Sequence, residues 1–177
     1  MYFRSFEKGY YDLKNDGNEK LVTDLMTRVK VREKIIDEAS LYDKYEVPSG
    51  ERPEDTAFKH FGSSHYHWVI LLSNNITDAF YDWPMSEQDF ENFINDKYSN
   101  PDAIHHYEVT QSSGKLTGNG PDDYSHKIEV NSDATGAQSV SNREFEQRIQ
   151  DRKRSINLLN PAYLNTFIEE FDNLVRN

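Results

Sequence analysis

The chain has 177 residues, 20 Lys and Arg against 31 Asp and Glu, and a formal net charge of −11, so its surface repels polyanions and offers no electrostatic case for nucleic acid. It contains no cysteine, which excludes disulfide staples, thiol catalysis and Cys-based zinc sites and suits folding in a reducing cytoplasm. The first residues lack an apolar signal core, and no run approaches the roughly 20 apolar residues that span a bilayer; the expectation is a soluble protein with no readable export signal.

Aromatic content stands out. With 11 Tyr, 10 Phe and 2 Trp among only 36% hydrophobic residues, some rings are expected at interfaces, where they give large contact area at low entropic cost. Residues 1–20 set Tyr2, Phe3, Phe6, Tyr10 and Tyr11 among polar neighbours and then meet the turn-forming Asn15-Asp16-Gly17-Asn18. This is an N-terminal arm whose rings need another surface, either a partner's or the chain's own. Leu21–Ser40 is ambiguous: Leu21, Leu25 and Val29 keep helical spacing, whereas Val29 to Arg32 alternates like a strand.

Leu41–Val47 reads as a strand stopped by Pro48-Ser49-Gly50. Pro53 suits the first position of a helix, with Glu54 and Asp55 complementing its dipole, Ala57, Phe58 and Phe61 as its apolar stripe, and Gly62 as a left-handed stop. Ser63 or Ser64 can cap a second helix carrying Tyr66, Trp68, Val69, Ile70, Leu71 and Leu72, which Asn74-Asn75 ends. That helix is apolar on nearly every side and must be covered. Ile76–Met85 follows as an aromatic exit with Phe80, Tyr81 and Trp83. Ser86 and Asp89 then form a capping box for a third helix with Phe90, Phe93, Ile94 and Tyr98 on one stripe.

Ile104–Val109 and Tyr124–Val130 are expected to pair as a hairpin, the second half-buried through Tyr124, His126, Ile128 and Val130. Thr110–Asp123 is an exposed loop and Asn131–Val140 a mobile polar linker. Ser141 and Glu144 open a polar helix, solvent-exposed or partner-covered, and Arg152-Lys153-Arg154 suits its C-terminal dipole or an acidic neighbour. Asn160 as cap and Pro161 in the first turn begin a strongly amphipathic last helix with Leu164, Phe167, Ile168, Phe171, Leu174 and Val175.

No catalytic constellation emerges. His65 and His67 point to different faces of a helix; His105 and His106 oppose each other on a strand, and only His106 with Glu108 shares a face. There is no HExxH, GxSxG, GxGxxG or phosphate-cradling loop, and the carboxylates resolve into no acid/base pair, most forming a solvated face. No cofactor or metal is expected. Tyr66, Trp68, Phe80, Tyr81 and Trp83 are either structural core or a shelf for a sugar or a partner.

The order of a strand ending at Gly50, a helix through Ala57-Phe58, Phe61-Gly62, Tyr66-x-Trp68-x-Ile70 and Asn74-Asn75-Ile76 resembles a LysM domain, which implies a βααβ unit and binding of N-acetylglucosamine polymers such as peptidoglycan. The fuller string, Arg52-Pro53-Glu54, Phe61-Gly62, Tyr66-x-Trp68-Val69-x-Leu71-Leu72 and Phe80-Tyr81-Asp82-Trp83, resembles the LysM-like baseplate wedge subunit of contractile-tailed bacteriophages. Lys97-Tyr98, His106-Tyr107 and the stretch Arg154–Pro161 with its following helix suit the same family. That resemblance implies a structural, non-enzymatic α+β protein of the virion tail baseplate, assembled in the host cytoplasm, clamping neighbouring wedge proteins and helping to join wedges. The peptidoglycan-binding LysM protein is the alternative. The expected organisation is an arm at 1–40, the LysM-like domain at 41–86, and a helix, β-hairpin and C-terminal helices at 87–177. Phe3, Phe6, Tyr10, Tyr66, Trp68, Tyr81, Trp83, Phe167 and Phe171 are the expected partner contacts in a hetero-oligomeric assembly with neither nucleic acid nor membrane.

Overall fold

A computed structural model describes residues 2–26, 29–31, 40–115 and 120–176. The architecture is α+β. It divides into two compact units, the first formed by residues 1–84 with 153–177 and the second by Met85–Arg152, so the second is inserted in the chain of the first.

Unit 1 begins with a 3-10 turn, Tyr2–Arg4, and an antiparallel pair, β1 (Lys8–Tyr11) and β2 (Lys20–Thr23). Asn15 and Gly17 both take positive φ in the turn between them, as the Asn-Asp-Gly-Asn cluster requires. The ambiguous Leu21–Ser40 stretch is strand where it joins β2; residues 27–28 and 32–39 of it lie outside the described residues. β3 (Tyr42–Glu46) follows, then α1 (Pro53–Phe61), a 3-10 turn capped by Ser63, and α2 (His67–Ser73). Gly62 closes α1 at φ 76° and its N–H bonds the Phe58 carbonyl, the left-handed cap that glycine tolerates best.

One correction concerns α1. Its buried face is Pro53, Thr56 and Ala57, at i, i+3 and i+4, and Phe58 is rotated off that face and 64% exposed.

β3 pairs antiparallel with β7 (Ser155–Leu159), Tyr42 opposite Leu159 and Glu46 opposite Ser155. The sequence offers no periodic signal for β7. The strand is five residues between a helix and a proline, too short to declare a period. Asn74 ties it to α2: its side-chain amide donates to the Ile70 and Asn157 carbonyls, each at 2.8 Å, and its Oδ1 accepts from the Asn157 N–H at 2.8 Å. An asparagine expected only to end a helix thus supplies strand-like pairing to a residue far along the chain.

A third 3-10 turn, Pro161–Tyr163, capped by Asn160, leads into α5 (Leu164–Arg176). α5 buries Leu164, Phe171 and Val175 against Phe6, Tyr42, Trp68, Val69 and Leu159. A neighbouring cluster joins Val47, Ala57, Ile70, Trp83, Ile156 and Leu158.

Unit 2 contains α3 (Glu87–Lys97), β4 (Ile104–Gln111), β5 (His126–Val130), β6 (Gln138–Ser141) and α4 (Asn142–Arg154), whose last two residues fall in unit 1. The Ser86 hydroxyl accepts from the Asp89 N–H at 3.2 Å and α3 buries Phe90 and Ile94. The strand order is β5-β4-β6, all antiparallel.

The structure revises three expectations here. The polar Asn131–Val140 segment ends in strand, because β6 satisfies the second edge of β4 and buries Val140. β5 is an outer strand with four of its five residues exposed, rather than half-buried. The polar helix α4 is neither solvent-exposed nor waiting for a partner along its whole length, since Glu146 and Gln150, at i and i+4, are buried.

Those buried polar groups are paired, as burial demands. Glu146 accepts from the Lys97 ammonium at 2.6 Å and the Tyr98 hydroxyl at 2.8 Å. Burial pushes its carboxyl up, but Lys97 and Tyr98 outweigh this and hold it below its ordinary value. Glu108 on β4 receives a two-pronged bond from the Arg148 guanidinium at 2.7 and 2.9 Å and another from Lys127 at 2.5 Å. The Arg148 bonds, opposed by burial and assisted by Lys127, lower its pKa to about 2. These carboxylates are not the solvated face expected from composition; they fasten α4 to α3 and to the sheet.

Two expectations follow. Asn74→Ala should lower the stability of unit 1 by roughly 2 kcal/mol, since it strips backbone partners from Asn157; urea unfolding followed by Trp68 and Trp83 fluorescence measures it, and an unchanged midpoint refutes the clamp. Glu108→Gln should cost unit 2 roughly 3 kcal/mol at neutral pH. Because the folded pKa of Glu108 is depressed, its contribution is complete above about 4.5 and is lost as pH falls towards about 2. Hydrogen exchange of the β4–β5 amides, read against pH, should therefore show wild type and variant converging through that window.

Candidate docking surface

Rings in unit 1 divide into those the fold consumes and those it displays. Trp68 (7% exposed) lies 4.7 Å from the Phe171 ring and 5.6 Å from Tyr2, and Phe6 is 6.2 Å from Phe171. For Tyr2 and Phe6 the arm folds back on its own chain. Trp83 (6% exposed) donates its indole N–H to the Glu51 carbonyl at 2.7 Å. Phe6, Trp68, Trp83 and Phe171 are therefore core rings. Tyr66 and Phe167 are half-buried, and Phe3, Tyr10 and Tyr81 are exposed. An apolar groove of about 730 Å³ has Leu41, Tyr42, Leu72, Leu159, Phe167 and Phe171 in its walls.

The most organised display lies between Asp78 and Trp83. Asp78 Oδ1 accepts from the Phe80 and Tyr81 N–H groups at 2.9 and 3.3 Å, and its carbonyl accepts from Asp82 N–H at 2.8 Å. The Asp82 carboxylate accepts from the Asp78 N–H at 3.3 Å, and the Lys153 ammonium donates to the Tyr81 carbonyl. This closed Asx turn holds Phe80 (81% exposed) and Tyr81 (66% exposed) edge-to-face, centroids 5.2 Å apart. Asp78 and Asp82 are residue types that form such turns, and Phe80, one of the rings expected to be either core or a shelf, lies on the surface.

Beneath the loop, Glu51 fixes its base. Its buried carboxylate accepts from Thr56 at 2.7 Å, Lys59 at 2.5 Å and the Tyr45 hydroxyl at 3.0 Å. Burial raises its pKa, and the bonds from Lys59, Thr56 and Tyr45 more than reverse that, so the group stays charged and fully bonded rather than available for proton transfer. Lys153, in the last turn of α4, serves the loop carbonyl. The β1–β2 pair displays Tyr10, Tyr11, Leu21 and Val22, on a two-stranded hairpin of a size that is marginal in water by itself.

Among the described residues no group of three or more His, Asp or Glu could hold a metal ion, and His106 lies 3.9 Å from Glu108 inside the structural network. No helix among the described residues is long and apolar enough to cross a membrane.

No curated protein matches the chain. Residues 1–115 match a phage family model described as base plate wedge protein 53; the matched segment holds the β1–β2 pair, β3, α1, α2, the Phe80-Tyr81 loop, α3 and β4. That match spans more than half of the sequence, and the chain belongs to this family of structural baseplate wedge proteins of phage virions.

Proposed function

We propose that the chain is a non-enzymatic wedge subunit of a contractile tail, clamping neighbouring wedge proteins of the same phage and helping to join wedges into the baseplate, after assembly in the host cytoplasm. The observation that carries this beyond family membership is the Phe80-Tyr81 loop. Two large rings are held outside by a closed hydrogen-bonded turn, so docking them costs little conformational entropy, the condition under which aromatic residues become binding anchors. Tyr10, Phe3 and the exposed hairpin face are a second contact in this reading, and Phe167 contributes through its groove. The buried Phe6, Trp68, Trp83 and Phe171 support the display from within.

A LysM-like arrangement remains the proposed ancestry of unit 1: strand, two helices and a returning antiparallel strand, with the return delayed by the insertion. Peptidoglycan binding gains no support from the family, and Trp68 and Trp83, the rings best suited to stack on a sugar, are buried.

Mixing the purified chain with the other wedge proteins of its phage tests the reading. The wild type should enter a wedge complex at micromolar concentration, and failure to do so refutes the clamp. Phe80→Ala/Tyr81→Ala should weaken entry by about 2 kcal/mol or more without moving the thermal midpoint, because neither ring is core. Wild-type assembly by that variant would remove the loop from the interface.

A further inference from the structure

β5 lies outside the matched segment and, among the described residues, has one edge against β4 and no strand on the other, in the order β5-β4-β6. An open edge normally invites pairing, and charges on it normally discourage that. Here the charges are arranged otherwise. His126-Lys127-Ile128-Glu129-Val130 places opposite charges symmetrically about Ile128. If a second copy of the strand lies antiparallel with Ile128 opposite Ile128, each Lys127 faces the other copy's Glu129. Registers centred on Lys127 or on Glu129 set like charges opposite each other, so one register is selected.

The faces agree with this pairing. In the β4–β5 ladder Glu129 lies directly across from Glu108, a like-charge pair that destabilises a sheet, and Glu129 makes no ion pair among the described residues. Lys127, 41% exposed, already donates diagonally to Glu108; a second copy's Lys127 would stand opposite Glu129 and complete the row Glu108, Glu129, Lys127. On the opposite face Ile128 shares a stripe with Tyr107, Val109 and Val130, and pairing would make that stripe continuous across both copies. Among the described residues no other strand has this property: β6 and β7 carry no charge, β1, β2 and β4 each carry formal charge of one sign only, and β3 (Tyr-Asp-Lys-Tyr-Glu) has no such symmetry.

We infer that β5 is a self-complementary edge through which two copies of this chain associate, antiparallel and centred on Ile128.

Sedimentation equilibrium of the full chain at physiological salt, over a micromolar to submillimolar series, should show a monomer–dimer equilibrium. Glu129→Lys exchanges two Lys–Glu contacts for two Lys–Lys contacts and should weaken dimerisation about tenfold or more. The same substitution relieves the Glu108–Glu129 pair within one copy, so hydrogen-exchange protection of β4 and β5 in the monomer should hold or rise, which separates lost pairing from lost folding. Lys127→Glu combined with Glu129→Lys restores opposite charges between copies and should restore the dimer. A wild type that stays monomeric throughout, a Glu129→Lys variant that dimerises like wild type, or a double variant that stays monomeric would each overturn the inference.

Discussion

Unit 1 depends on closing β3 against β7. The strands are separated in sequence by the whole insertion, and joining the ends of so long a segment carries an entropic cost that grows with its length. The insertion reduces that cost by its own folding: the Met85 N–H bonds Gln150 Oε1 at 3.1 Å, so the two ends of unit 2 are held together and the effective loop is short. Asn74 then fixes where β7 lies, bonding both backbone groups of Asn157 while still serving the end of α2. Val47 N–H on the Arg154 carbonyl, at 2.9 Å, extends the closure beyond the ladder. Once β7 is in register, Ile156 and Leu158 face one core cluster and Leu159 the other.

Three glutamates do work that apolar residues usually do. Glu51, Glu108 and Glu146 are each buried and each meet a lysine together with a hydroxyl or a guanidinium. Such networks contribute less to net stability than their short distances suggest, because both partners lose water. Their effect is directional. Lys97 and Tyr98, adjacent at the end of α3, both reach the same oxygen of Glu146, which gives a physical reason for a Lys-Tyr pair at that point. Glu51 joins three side chains with its carboxylate and Trp83 with its carbonyl, so the exit from α2 is fixed by polar bonds on one side and by core packing on the other.

For a baseplate wedge protein, whose family implies assembly with other baseplate proteins, this division of rings is coherent. Both tryptophans are committed to the interior, and the displayed rings lie on a closed turn or on a short hairpin. Rigid display keeps the entropic cost of association low, whereas a hairpin with little intramolecular packing gains most of its burial from a partner. A net charge of −11 keeps free copies apart at long range, so contacts form where shape and local charge match.

The elements legible in the sequence are those whose signals lie within a few residues. Pro53 and Gly62 bracket α1, Ser86 starts α3, Asn160 caps the last turn, and the Gly-containing clusters mark the turns, because caps and φ preferences act locally. The sequence also carried the family, through the Arg52–Trp83 string. The elements that emerge only in the folded chain depend on partners distant in sequence. β7 has no period of its own and exists because β3 and Asn74 bond it; β6 is polar and exists because β4 offers an edge; α4 looks solvated until Lys97 and Tyr98 are seen to meet Glu146. The candidate rings show the same limit. Composition marked Trp68, Trp83, Phe80 and Tyr81 alike as a surplus of aromatics, and only packing assigned the first two to the core and the last two to the surface, since burial is a property of where the rest of the chain lies.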